Sequence, residues 1–206
     1  MKRTRAFAIA ISAVAAIALA GCSNGQEAGN TPAPQAPASQ EQAAHNAADV
    51  TFAQGMIPHH QQAIEMSKLA PERSQSQQVK DLAKQIEAAQ GPEIQTLTGW
   101  LRDWGAEAPS TDHASMGHDM GDMGGDHGGM GGMMSADEMK QLEQAKGAEF
   151  DRMFLDLMIK HHEGAVTMAQ AELSGGQFPA AKQMAQQIID TQQAEIDTMR
   201  TLLSQS

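Results

Sequence analysis

The stretch MIPHHQQAIEM, residues 56–66, recurs as MIKHHEGAVTM, residues 158–168, at a fixed offset of 102 residues. The correspondence extends along the chain without a gap, through the pairs Asp49/Asp151, Phe52/Phe154, Lys80/Lys182, Gln90/Gln192, Glu93/Glu195 and Leu101/Leu203. Repetition at a fixed spacing indicates two copies of one supersecondary unit, which are expected to pack on each other. The chain therefore has two halves with the same fold.

Apolar residues in each copy recur at helical spacing. In the first helix the inward face is predicted to hold residues three or four apart, namely Phe52, Met56, His59, Ala63, Met66 and Ala70. Pro71 is predicted to stop this helix, and Ser74 or Ser76 to cap the next one. In the second copy Ser174-Gly175-Gly176 ends the first helix and Pro179 suits the start of the second. With no alternating β-branched runs, two repeated helical hairpins predict an all-α, four-helix bundle.

The two helices of the first hairpin can be aligned by their rise of about 1.5 Å per residue. With a tight turn after the first helix, His59 is expected opposite about residues 86–90. Glu93 is expected opposite Phe52 or Asp49. Histidine, methionine, glutamine and glutamate are therefore predicted to converge on one level of the bundle.

The paired histidines carry the chemistry of the repeat. Neutral imidazole binds copper, zinc, iron and nickel, and thioether sulfur adds selectivity for Cu(I). Residues three or four apart share a helix face, so a methionine one turn away can approach the same ion. Adjacent histidines point about 100° apart, so one of each pair is expected to face the core and the other a neighbouring helix or the surface. The predicted bundle ligands are His59, His60, His161, His162, Met56, Met158, Glu93, Glu195, Asp49, Asp151, Met66 and Met168.

Several of these residues also have a purely structural interpretation. A lone inward histidine is usually a hydrogen-bonded core residue, and it is the repetition with methionines and a facing glutamate that favours a metal. Met66 and Met168 are better explained by core packing. Asp49 and Asp151 can instead be helix caps.

Between the copies lies HASMGHDMGDMGGDHGGMGGMM, residues 113–134. Its glycine content prevents a stable helix or core, so its methionines are predicted to be exposed thioether ligands without a packing role. Methionine favours Cu(I) or Ag(I), whereas histidine with aspartate accepts Cu(II). The alternative is a low-complexity linker that binds nothing. The predicted ligands in this loop are His113, Met116, His118, Met120, Met123, His127, Met130, Met133 and Met134.

The N-terminus has the features of a targeting segment. A basic start, MKRTR, precedes the apolar run AFAIAISAVAAIALA, and Leu19-Ala20-Gly21-Cys22 resembles a bacterial lipoprotein cleavage box. Residues 1–21 are therefore predicted to be a lipoprotein signal peptide, and Cys22 to carry the lipid that anchors the protein. The alternative is an ordinary secretory signal with a chance cysteine.

Composition divides the rest of the chain. Residues 22–44 are rich in Pro, Ala, Gln, Ser and Gly, which predicts a disordered tether. The folded four-helix domain is predicted at 45–205, with repeat one at 47–104, the Met/His-rich loop at 106–134 and repeat two at 137–205.

Charge and motif content exclude several classes of protein. Removing the three basic residues of the signal leaves 11 basic against 25 acidic side chains, so the net charge falls from -11 to about -14. An acidic surface disfavours nucleic acid and anionic lipid and favours cations. A single cysteine allows no intramolecular disulfide, and no phosphate loop or nucleotide motif is visible. No later stretch is long and apolar enough to span a bilayer, so attachment is expected through lipid, on the outer face of the cell membrane.

The phrase D-x-x-F-x-x-x-M-I-x-H-H-x-x-A-x-x-M, at Asp49 to Met66 and again at Asp151 to Met168, resembles the secreted family catalogued as domain of unknown function 305. The resemblance covers nearly all of the folded region. It implies a ferritin-like four-helix bundle and copper binding in the cell envelope. Ferritin-like di-iron sites use glutamates with Glu-x-x-His, whereas this chain has His-His and Gln-x-x-Glu. The difference argues against an oxygen-activating site.

Together these features predict a membrane-tethered, extracytoplasmic, non-enzymatic protein that binds Cu(I) and also Cu(II), for sequestration or delivery. Silver or another transition metal is a further candidate ligand, and a copper transporter or oxidase a candidate partner. One alternative is a metal oxidase of Cu(I) or Fe(II). Another is a metal-free interaction module in which the histidines hydrogen-bond across the bundle.

Overall fold

The computed structural model describes residues 44–109 and 131–205, which form five helices. These are α1 (Ala47–Arg73), α2 (Gln77–Asp103), α3 (Ala136–Gln144), α4 (Ala148–Gly175) and α5 (Pro179–Leu203). Helix α1 packs against α2 and α4, α4 packs against α5, and the short α3 contacts α1 and α4. The predicted all-α bundle of two helical hairpins is confirmed, and the described ranges contain no strand. None of these helices combines the length and apolar character needed to cross a membrane.

Most helix ends follow the predicted signals. Ser76 is the N-cap of α2, and α4 ends at Gly175 before Pro179 starts α5. The prediction that Pro71 stops α1 is wrong, because the helix continues to Arg73. A proline removes only one helical hydrogen bond here, and packing of the surrounding turns against the core offsets that loss.

Helix α3 was not predicted, although its start signal is visible in the sequence. Ser135 and Glu138 form a capping box, in which the Glu138 backbone N–H donates to Ser135 Oγ and the Ser135 N–H donates to the Glu138 carboxylate. The Leu142 side chain, on the inner face of the helix, is fully buried in an apolar cluster. The glycine-rich sequence before it obscured this signal.

Buried apolar side chains form two separate clusters. One joins the N-terminal half of α1 to the C-terminal half of α4 and includes Phe52, Met56, Leu97, Ala165 and Ile188. The other joins the opposite halves of the same helices and includes Met66, Ile86, Phe154, Met158 and Ile196. Helices α1 and α4 are therefore antiparallel. The two histidine pairs fall between the clusters, in the middle of the bundle.

Candidate metal centre

Four buried histidines meet where α1 and α4 pack together. His59, His60, His161 and His162 are each 0% exposed. The His59 and His161 rings contact each other across the seam between α1 and α4, with centroids 3.7 Å apart and an interplanar angle of 44°. The His161 and His162 centroids are 6.3 Å apart. We call this group the histidine layer.

The second histidine of each pair is held by the glutamate of its own repeat. His60 Nε2 lies 2.6 Å from Glu93 Oε2, and His162 Nε2 lies 2.6 Å from Glu195 Oε2. An ionised carboxylate can only accept, so Nε2 carries the proton and donates. In the neutral ring the lone pair is then on Nδ1. This is the arrangement in which a carboxylate orients a metal-binding histidine.

The remaining ring nitrogens have no partner among the described residues. These are Nδ1 of all four histidines and Nε2 of His161. A buried polar atom without a partner costs about 1–3 kcal/mol, so native proteins rarely leave several together. An imidazole nitrogen with a free lone pair is a metal ligand. The chemistry of these atoms therefore fits a metal ion.

The histidine pair at the seam is kept neutral. Burial, together with the neighbouring His60 ring, lowers the pKa of His59 to about 3. Burial, followed by the nearby His59 and His162 rings, holds the pKa of His161 well below its usual value, although the nearby His59 backbone carbonyl, with which the ring makes no hydrogen bond, acts in the opposite direction. Metals bind the neutral form of imidazole. Both rings are therefore ready to act as ligands without losing a proton first.

Glu93 contacts His60 rather than Phe52 or Asp49, so the predicted partner of Glu93 is wrong by two to three turns of α1. One cause is that α1 continues past Pro71. The other is that long side chains lean towards the N-terminus of their own helix. In antiparallel helices this lean brings together residues whose Cα atoms lie at different levels.

The predicted ligand set lacks two buried glutamines that precede the glutamates of the two repeats. Gln90 and Gln192 are 2% and 3% exposed, one turn before Glu93 and Glu195. Neither polar atom of the Gln90 side chain, nor Oε1 of Gln192, has a partner among the described residues. Their repetition at the common offset was the available signal. They add polar atoms to the centre of the bundle.

The four bundle methionines divide into two groups. Met56 and Met158 are fully buried one turn before the histidines, where a thioether can share a helix face with the rings. Met66 lies six residues beyond His60 and is fully buried in an apolar cluster, and Met168 packs at the edge of the other cluster. Core packing accounts for this second group.

Asp49 and Asp151 lie ten residues before His59 and His161, about 15 Å along their helices. Asp49 accepts hydrogen bonds from the backbone of Gln177 and Phe178, at the start of α5. Asp151 accepts from the hydroxyl of Ser74 and the backbone of Ser76, at the start of α2. The structure therefore makes both aspartates caps and does not bring them to the histidine layer.

Only two of the loop candidates fall within the described residues. Met133 is partly exposed, whereas Met134 is 5% exposed and packs in an apolar cluster. The expectation that these methionines have no packing role is therefore wrong for Met134. Its backbone is hydrogen-bonded to Gln62, and its side chain packs in the apolar cluster. Outside the described residues lie the signal peptide, residues 22–43 of the tether including Cys22, and His113, Met116, His118, Met120, Met123, His127 and Met130.

Within residues 44–109 and 131–205, no three His, Cys, Asp or Glu side chains are already arranged to hold a metal ion. Zinc sites need four such ligands or three with water. Two imidazole nitrogens with a thioether sulfur form a softer set, which suits Cu(I).

Comparison with known proteins places these features in a wider group. The sequence model of the family described as Domain of unknown function (DUF305) matches residues 49–203. A Streptomyces coelicolor DUF305 structure, named as a secreted protein, is 33% identical over 77% of this chain and 93% of that chain, with a TM-score of 0.66. A DUF305 fragment from Deinococcus radiodurans is 33% identical over 78% of this chain and 98% of the fragment, with a TM-score of 0.63.

The protein CopM also has this fold. Its Cu(II)-bound form is 32% identical over 76% of this chain and 96% of CopM, with a TM-score of 0.61. Cu(I)-bound and Ag-bound forms of CopM align in the same way, at 28% identity and a TM-score of 0.60. None of the curated proteins matches the chain.

Proposed function

The chain belongs to the family of domain of unknown function DUF305, and on that premise we propose that it binds copper at the histidine layer, outside the cytoplasm, and sequesters or delivers the metal. Support comes from the copper-bound and silver-bound forms of CopM. The observation that carries the proposal is the set of buried ring nitrogens without partners at His59 and His161.

The layer suits a cargo ion that must be held and then released. His60 and His162 are oriented by glutamates, which leaves the lone pair of Nδ1 free to coordinate a metal ion. The glutamate side chains are 24% and 14% exposed, so each links a buried ring to solvent. Their negative charge and the acidic surface of the protein favour a cation.

We further propose that the protein is tethered to the outer face of the membrane through a lipid on Cys22. The cleavage-box sequence before this residue supports the proposal. The Streptomyces relative named as a secreted protein is consistent with a location outside the cytoplasm. A tether would keep the copper-binding domain close to membrane transporters.

Competition with a chromophoric Cu(I) chelator tests copper binding. The mature protein is compared with the His59→Ala/His161→Ala variant under anaerobic, reducing conditions. We expect the variant to lose one class of Cu(I) site while keeping its helical circular dichroism. His45→Ala is the matched control, because His45 is exposed and stacks on Trp104 away from the layer.

Unchanged Cu(I) binding in the double variant would remove the histidine layer from the proposal. Multiple turnovers of Cu(I) or Fe(II) oxidation under excess metal and oxygen would instead identify an oxidase. A cargo protein should react with at most its bound equivalents.

A further inference from the structure

The segment Gly131–Met134, which we call the strap, lies across the seam between α1 and α4 at the histidine pair. The Gly131 carbonyl is 3.3 Å from His59 Nε2. Gly132 has a φ of +91°, and a Cβ built on it would meet the His161 carbonyl at 3.0 Å. The strap is therefore in direct contact with both helices beside His59 and His161.

The two repeats contribute different residues to this contact, at equivalent positions 62 and 164. Gln62 donates from Nε2 to the Met134 carbonyl at 2.9 Å and accepts from the Met134 N–H at 2.7 Å. Its side chain thus pairs with both backbone groups of one strap residue. Because both hydrogen bonds are buried, they hold this end of the strap firmly.

Gly164 supplies the space that the strap occupies. A Cβ at this position would lie 1.8 Å from the Gly131 oxygen and 2.8 Å from the Gly132 Cα. Any other residue would push the strap away from α4. The two repeats therefore differ at this position. Gln62 on α1, which we call the clasp, hydrogen-bonds the strap, and Gly164 on α4, which we call the notch, leaves room for it.

The strap also gives His59 the environment that the glutamates give their histidines. In the neutral ring, donation from Nε2 to the Gly131 carbonyl leaves the lone pair on Nδ1, which has no partner among the described residues. Metal-binding histidines commonly donate their other N–H to a backbone carbonyl. The strap thus both orients His59 and covers it.

We infer that the strap closes the route between solvent and the His59–His161 pair, and that Gln62 is the positioning residue whose release of Met134 lets metal enter or leave. The inference rests on the proposed function for its metal step. It rests on the strap contacts alone for the shielding of the two rings.

Two variants open the strap by independent means. Gln62→Ala removes the clasp, and Gly164→Ala fills the notch. Their matched controls are Gln61→Ala, the adjacent glutamine, and Gly99→Ala, a helical glycine with nothing within 4 Å of an added Cβ. Each variant is made in the mature full chain, and circular dichroism checks its fold.

The first measurement is release of Cu(I) from the loaded protein to excess chelator. The kinetic phase that is missing in His59→Ala/His161→Ala reports the histidine pair. We expect both opening variants to speed this phase at least about tenfold, because each loses buried contacts that close the strap. The controls should stay within about twofold of the parent protein.

The second measurement needs no metal. Modification of His59 and His161 in the apo protein by diethylpyrocarbonate, mapped by mass spectrometry, should be slow in the parent and controls and faster in both opening variants. Unchanged modification and unchanged release in folded variants would overturn the inference. If the parent has no histidine-dependent release phase, the copper proposal fails, and the modification rates still decide whether the strap shields the rings. If one variant fails to fold, the other supplies the test.

Discussion

Asp49, in the first repeat, accepts a 2.8 Å hydrogen bond from the backbone N–H of Phe178, which caps α5 in the second repeat. Conversely, Asp151, in the second repeat, accepts a hydrogen bond from the backbone N–H of Ser76, which caps α2 in the first repeat. Each repeat therefore closes the hairpin turn of the other. Burial opposes ionisation of Asp49, but hydrogen bonds from Asn46, Phe178 and Gln177 hold its pKa below the usual value.

Replacing either aspartate should reduce stability and leave copper affinity unchanged. Asp49→Ala and Asp151→Ala each remove a buried cap, which typically costs about 1–2 kcal/mol. Urea denaturation of the apo proteins measures the loss, and chelator competition measures Cu(I) affinity. Asp197→Ala, an exposed aspartate on α5, is the control. A loss of Cu(I) affinity at equal stability would return these residues to the ligand set.

Glu172 should make the apo protein less stable as pH rises. This carboxyl is 1% exposed, and burial, with the hydrogen bond and charge of Asp49, raises its pKa to about 8, against an attraction to Lys182. The folded state therefore keeps a proton that the unfolded chain releases above about pH 4.5. The free energy of unfolding should fall from that pH up to about pH 8, by at most about 1.4 kcal/mol per pH unit.

Glu172→Gln replaces the titrating carboxyl with a neutral amide. The free energy of unfolding of this variant should therefore depend less on pH. The first repeat has Ala70 at the equivalent position, so the effect belongs to one end of the bundle. Urea unfolding at pH 5 and pH 8.5, without metal, should show the variant gaining stability relative to the parent at the higher pH. Glu163→Gln, an exposed glutamate, should follow the parent. Parallel pH profiles for parent and Glu172→Gln would contradict the assignment.

The repeat was enough to predict α1, α2, α4 and α5, because the buried face of each helix is determined by spacing within one segment. Contacts between segments were harder to predict. That His59 touches His161 depends on where α1 packs against α4, and no local pattern encodes that point. The sequence allows Asp49 to be a helix cap, but the helix that it caps lies in the other repeat, about 130 residues away in the chain.

The different roles of Gln62 and Gly164 were also hidden from sequence reasoning. In the sequence, the glutamine at position 62 and the glycine at the equivalent position 164 are one of many differences between the two copies of the repeat. Only the path of the strap shows why a glutamine is needed on one helix and a glycine on the other. For the same reason the sequence alone predicts an exposed Met134, whereas the side chain is buried.

The Met/His-rich stretch should provide a class of Cu(I) site separate from the histidine layer. A variant in which residues 110–130 are replaced by a Gly/Ser linker of equal length keeps the strap and the buried Met134 side chain in place. We expect it to lose the loop sites and retain the His59/His161-dependent class. Chelator competition under reducing conditions gives both. Equal Cu(I) stoichiometry in the two proteins would show that the stretch binds no copper.

Cys22→Ser should release the protein from the membrane fraction without changing the fold of the described bundle, whose first helix begins at Ala47. Fractionation of cells and circular dichroism of the released protein measure the two effects. Loss of membrane association is expected because stable anchoring needs the acyl chains. A variant that stays in the membrane after signal cleavage would refute the lipoprotein assignment.

The Glu93→Gln/Glu195→Gln variant distinguishes a metal centre from a hydrogen-bonded core. Glutamine keeps the volume of each side chain and can still accept a hydrogen bond from Nε2 of His60 or His162, so the apo melting temperature should change little. It removes the negative charge that makes Nδ1 a stronger donor, and loss of such an orienting carboxylate typically lowers metal affinity about 10–100-fold. Chelator competition with Cu(I) and thermal melting with and without copper measure the two quantities.

If copper is bound at the layer, the copper-induced rise in melting temperature should shrink with the affinity, because a ligand stabilises only the state that binds it. Glu163→Gln, an exposed glutamate paired with Arg200, should change neither. A large drop in apo melting temperature with an unchanged copper response would mean that the His60–Glu93 and His162–Glu195 pairs hold the bundle together and take no part in binding metal.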